Sequence, residues 1–258
     1  MKPVASPFRG ALTLILLTLF LLPHLSQATT PDFQIIEPGL EYAKLTPKEL
    51  GKTLHVLRVD LKNFSLQPID ARKLGSSVLS VKDMASKTKA LAVINANFFD
   101  KTNRPLGLIL KDGKILNGFH PTRWYAAILF SKNRAKITKA FKKSQIKGYP
   151  NGLQAGPRLV IWGKTPKLKN ESSPKSAVGI DSKGRVLLIA STGNIEIGNL
   201  ARYLAKPTSK GGLGLSNAMN LDGGSSTQLF IKAGNINENI SGLNRVPVGL
   251  GVFKKPSN

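Results

Sequence analysis

The stretch AMNLDGGSSTQLF, residues 218–230, decides how the rest of the chain is read. Apolar residues lead into one carboxylate, Asp222. Gly223, Gly224, Ser225 and Ser226 follow at once, and Leu229 and Phe230 turn the chain apolar again. The pattern reads as a strand, a tight glycine turn and a second strand. Glycines beside the Asp let backbone come close to a ligand. The successive N–H groups of Gly223, Gly224 and Ser225 can form an anion nest, and the Ser225 and Ser226 hydroxyls add donors. The same letters also fit a plain DGG hairpin turn with solvent-facing serines, and spacing alone leaves both readings open.

Outward from this stretch the hairpins repeat. LHVLRVDL (54–61) alternates like a half-buried strand, and FSLQPIDA (64–71) carries Pro68, which fits a sheet edge. PLGLILKDGKIL (105–116) turns at Asp112-Gly113, WYAAILFSKNRAKITKAF turns at Lys132-Asn133, and SAVGIDSKGRVLLIAST (176–192) turns within Asp181–Gly184. GLQAGPRLVIWGK (152–164) is broken at Gly156-Pro157, and RVPVGLGVF closes the chain. Helical spacing is confined to residues 77–91, with Ser80 as cap, and to 195–207. Strands do not alternate regularly with helices, so a doubly wound parallel fold is disfavoured. The expectation is one α+β domain over residues 51–258 with a mixed, mostly antiparallel sheet built from hairpins and a few helices, preceded by a lead-in segment at 29–50. Residues 163–175, GKTPKLKNESSPK, read as a basic surface loop near the site.

The first 28 residues have the layout of a secretory signal peptide. Lys2 and Arg9 precede ALTLILLTLFLL, about a dozen apolar residues and short for a bilayer span, and Ser26 and Ala28 stand before the expected cut. An uncleaved anchor is the alternative. Secretion to a periplasm or the extracellular space is therefore expected, with no stable membrane span after cleavage. The chain has no cysteine, which excludes disulfides and thiolate chemistry. Its net charge is +24, and loss of Lys2 and Arg9 would lower this to +22. Such a field attracts polyanions. Nucleic acid is not the expected partner of a secreted chain. Phosphorylated or otherwise anionic glycans are. Oligomeric state is left open.

Much familiar chemistry is excluded. The histidines are His24, His55 and His120, too few for a multi-histidine zinc site, and no HExxH, GxSxG or GxxxxGK[ST] occurs. What remains is polar residues at the ends of apolar runs: Asn95 and Asn97 in NANFF, Arg158 in AGPRLV, Lys175 and Ser176, and Asp222 through Ser226. Asn amides suit sugar hydroxyls, and an Arg fork suits phosphate. No cofactor is expected. Asp222, Asn95 and Asn97 offer oxygens to a hard cation such as Ca²⁺, but the set is thin.

In order, INANFF, PLGLILKDGKIL, LQAGPRLV, SAVGIDSKGRVLLI, NLDGGSSTQLF and VPVGLGVF resemble the phosphodiester glycosidase family over residues 50–253. The resemblance implies a secreted bacterial hydrolase that cuts the sugar C1–O bond of a GlcNAc-1-phosphodiester-like substrate, with phosphate leaving. It implies catalytic roles for Asp222 and Asn95. Substrate contacts would come from Asn97, Arg158, Lys175, Ser176, Gly223, Gly224, Ser225 and Ser226. Two departures bear on the pocket. Asn97 stands where the family usually has Gly, and Lys175 stands where it usually has Arg. Phosphate is a good leaving group, so the absence of an obvious pair of carboxylates fits this chemistry. A binding module that holds anionic cell-envelope glycans without turnover is the competing reading.

Overall fold

The computed structural model describes Met1, residues 30–139 and residues 141–256. Residues 2–29, which hold most of the sequence read as a signal peptide, lie outside the described residues. Every strand pairing among the described residues is antiparallel, in line with the hairpin pattern.

The largest sheet has seven strands. In spatial order they are Gln34–Glu37, Leu40–Leu45, Thr53–Val59, Val186–Thr192, Ser176–Asp181, Leu215–Asn220 and Arg158–Ile161. A five-stranded sheet runs Ile236–Ile240, Leu229–Ala233, Ala92–Asn95, Val248–Lys254 and Phe64–Asp70. The last of these carries Pro68 at the sheet edge, where a missing N–H breaks no ladder. A third sheet runs Lys114–Asn117, Ile109–Lys111, Asn151–Ala155, Ala126–Phe130 and Ala135–Thr138. The lead-in segment contributes a hairpin to the large sheet, with Leu40 and Tyr42 buried in the core.

All three sheets feed one apolar core. Leu57, Val178, Leu188 and Met219 from the first meet Leu66, Ile94 and Leu250 from the second and Ile128 and Leu153 from the third. The alternate residues of the same strands are buried too, on the outer faces. Val93 packs with Met84, Ala85 and Phe230 under the helix Val81–Thr88. Val56, Leu187 and Ile189 pack with Leu200, Ala201 and Leu204 of the helix Ile197–Ala205. Burial on both faces explains why so many strands read as continuous apolar runs rather than alternating ones.

The first helix starts where its cap residue predicts: the Ser80 hydroxyl accepts the Asp83 N–H at 3.0 Å. It docks closely because residue 249 is glycine. A Cβ there would lie 2.6 Å from Val93 Cγ1 and 2.8 Å from Met84 Sδ. Ser80→Ala should cost about 1 kcal/mol of stability, read as a lower denaturation midpoint with an unchanged slope. The second helix is shorter than its spacing predicts. Residues Ile195–Glu196 pair instead with Ser172–Ser173, which ties the end of the basic loop to the fold.

Candidate active site

Four strand ends meet at one place, and Asn95 joins three of them. Its side chain is wholly buried. Its Nδ2 donates to the Asp222 carbonyl at 2.6 Å, while its Oδ1 accepts from the Ser176 hydroxyl at 2.6 Å and the Gln228 N–H at 3.0 Å. Backbone bonds complete the junction: Leu221 N–H to Ser176 O at 2.8 Å, and Asp222 N–H to Ala96 O at 2.9 Å. The NANFF strand end, the Lys175-Ser176 strand start and the NLDGGSS turn are thus locked together. Asn95 acts inside the protein, with its amide oxygen committed to two donors.

Asn97, two residues further on, is also buried. Its Nδ2 is shared among the carbonyls of Leu106, Leu108 and Gln154 at 3.2, 3.2 and 2.9 Å. It therefore pins the third sheet to the junction.

Asp222 is half-buried. Burial pushes its carboxyl up to about 6, against the lowering effect of hydrogen bonds from the Ser226 side chain and the Gly223 backbone. The turn that carries it is tight. Gly224 has φ +62, a conformation suited to glycine, and a Cβ at Gly223 would lie 3.0 Å from Pro174 O. The expected anion nest is partly spent: the Gly224 N–H donates to Pro174 O at 2.8 Å. Ser226 is buried, whereas Ser225 is exposed with its hydroxyl accepting from Asn244 Nδ2 at 2.8 Å.

Lys175 is buried, and its ammonium donates to Glu171 Oε1 at 2.7 Å and Ser173 Oγ at 2.8 Å. Arg158 takes another course. It lies opposite Met219, yet its guanidinium reaches back to Asn217 Oδ1 at 2.8 Å, toward the far end of that strand from Asp222. The resemblance implies a substrate contact for Arg158; the structure brings the AGPR turn to the Asp222 strand, through the Asn220 N–H on Pro157 O at 2.8 Å, and pairs the Arg158 side chain with Asn217.

His120, Trp124 and Tyr125 were not singled out by the sequence as parts of an aromatic wall. Phe98 packs edge-on against Trp124 and tilted against Tyr125, with centroids 5.6 and 5.7 Å apart, and His120 stacks on Tyr125 at 4.7 Å. Burial pushes the Tyr125 hydroxyl up to about 12, with a smaller contribution from the charge of Asp222. Gly156 allows the wall to close in: a Cβ there would lie 2.7 Å from Trp124 O. Among the described residues no three His, Asp or Glu side chains converge as metal ligands.

A family model described as phosphodiester glycosidase matches residues 88–253, which hold every residue of this junction. The chain belongs to the phosphodiester glycosidase family. No curated protein matches it. Among solved structures, it resembles a hypothetical protein from Synechocystis at 16% identity and TM-score 0.70, covering 87% of this chain and 64% of that one. It also resembles the catalytic domain of zebrafish N-acetylglucosamine-1-phosphodiester α-N-acetylglucosaminidase auto-inhibited by its pro-peptide. That likeness has 18% identity and TM-score 0.65, and covers 88% of this chain and 89% of that one. An exported protein of Burkholderia pseudomallei is similar at 12% identity and TM-score 0.53, covering 78% and 74%. At these identities the solved structures show a shared fold.

Proposed function

We propose that the protein is a secreted glycosidase that hydrolyses the C1–O bond of a sugar-1-phosphodiester, with GlcNAc-1-phosphodiester as the reference substrate. The observation that carries this reading is Asp222. It is a single half-buried carboxylate, raised to about 6, presented by a tight glycine turn that is bonded to the Lys175-Ser176 strand start. A carboxylate with that pKa is ionised at neutral pH and still basic enough to act. It serves C1 as nucleophile, as base for a water, or as partner of oxocarbenium-like charge. The phosphate leaves as an anion that Lys175 neutralises, so a strong general acid is unnecessary. The exposed Trp124 and half-buried Phe98 offer apolar ring surface to the sugar, with the buried Tyr125 packed behind them. Asn95 and Ser176 hold the Asp222 turn in place, and Asn97 fixes the sheet behind it. The N-terminal layout of residues 1–28 supports secretion as part of the same proposal.

The net charge of +24 favours one other reading, a module that retains anionic glycans without turning them over. Incubation with UDP-GlcNAc separates the two. Release of free GlcNAc supports the glycosidase, whereas retention on an anionic glycan column without any released sugar supports the binding module.

A further inference from the structure

Lys175 is 1% exposed, while its ionic partner Glu171 is 64% exposed. The pair is therefore lopsided: a buried cation is covered by a carboxylate that belongs to the solvent side. A buried ammonium needs its counter-charge, so something anionic must occupy this seat. Glu171 itself is well solvated once released, so the cost of opening the pair falls on the buried ammonium until another anion takes the seat. Glu171 is also the one acid in residues 163–175, against four lysines. The seat adjoins the Asp222 turn: a Cβ at Gly223 would lie 4.0 Å from Ser173 Oγ, the second acceptor of the Lys175 ammonium. On its other side Glu171 lines a cavity of about 360 Å³ with Trp124, Pro157, Leu168 and Ile197. Glu171 thus touches both Lys175 and a cavity lined by Trp124 of the aromatic wall.

We propose that Glu171 is an internal stand-in for substrate phosphate: its carboxylate holds the anion seat on Lys175, and an incoming phosphodiester binds there by displacing it. The inference rests on the phosphodiester reading for its ligand class. A phosphate oxygen makes the same contact to an ammonium that a carboxylate oxygen makes. The resident carboxylate keeps the buried lysine paired in the absence of ligand and excludes weakly held anions. Every phosphate affinity then includes the work of expelling Glu171.

Titration calorimetry with inorganic phosphate tests the latch without any turnover. Glu171→Gln keeps an oxygen near Lys175 but removes the competing charge, and should bind phosphate roughly tenfold more tightly than the wild type. Adding Lys175→Gln to that variant should remove the gain, with circular dichroism confirming the fold. Equal or weaker phosphate binding by Glu171→Gln overturns the latch, as does a gain that persists without Lys175. The activity is judged separately. If sugar release is absent but the tenfold gain appears, the glycosidase reading falls and the anion seat stands. If sugar is released but the gain is missing, the latch alone falls.

Discussion

Asp222→Asn should lower sugar release by about 10³-fold while leaving the fold intact and more stable at neutral pH. The two effects have one cause. Burial lifts the Asp222 carboxyl from 3.8 to about 6, so holding it ionised is costly. In the unfolded chain the group titrates near its ordinary value, so the folded state holds more protons between these two pH values. Stability linked to Asp222 is therefore fully present below about pH 4 and is lost as pH rises through about 6. A neutral Asn is free of that loss. The full shift corresponds to about 3 kcal/mol, and partial solvent contact of the carboxyl reduces the expected gain to about 2 kcal/mol at pH 8, vanishing near pH 3.5. The activity limb runs the opposite way. If the ionised carboxylate acts at C1, kcat/KM in the wild type rises with pH and levels off above about 6. A variant that keeps wild-type turnover would remove Asp222 from the chemistry. A melting temperature that falls at pH 8 would contradict the burial argument.

Asn95→Leu should destabilise the protein by about 4 kcal/mol, the largest effect expected of any single change at the junction. The substitution fills a similar volume but makes no hydrogen bond. It strands the Ser176 hydroxyl, the Gln228 N–H and the Asp222 carbonyl at a wholly buried point. Each unpaired group carries its own desolvation cost, and the losses fall on two different sheets. Urea unfolding measures the effect directly. A loss under about 1 kcal/mol would mean that the three segments are held by their backbone bonds alone.

Much of this architecture was readable in the sequence because the turns are chemically explicit. Asp112-Gly113 and the Asp181–Gly184 turn mark their hairpins, and Ser80 marks a helix start. The strand Ile236–Ile240 was not read. Its letters, INENI, are half polar and half-buried at the edge of the five-stranded sheet, so no apolar run announces it. In the lead-in segment only Leu40, Tyr42 and Ala43 are buried and the rest is mixed, so the letters do not announce its hairpin.

At the site, the motif order placed Asn95, Lys175, Ser176 and Asp222 together, and the fold brings them there. Side-chain aim was not legible. Arg158 turns to Asn217, a partner 59 residues away in sequence, and no local pattern encodes that choice. The Glu171–Lys175 pair has i,i+4 spacing, which usually signals a helix. Here Pro174 and the Ser172–Ser173 strand exclude one, and the contact forms in an extended segment. The aromatic wall is assembled from Phe98, His120, Trp124 and Tyr125, residues whose meeting depends on how the third sheet folds back.

Hydrolysis of UDP-GlcNAc in ¹⁸O-labelled water, with both products analysed by mass spectrometry, tests the central claim most directly. Cleavage at C1–O places the label in the hydroxyl of the free sugar and leaves the phosphate product unlabelled. Label in the phosphate product, or release of GlcNAc-1-phosphate, would show that the bond broken is P–O and would contradict the account.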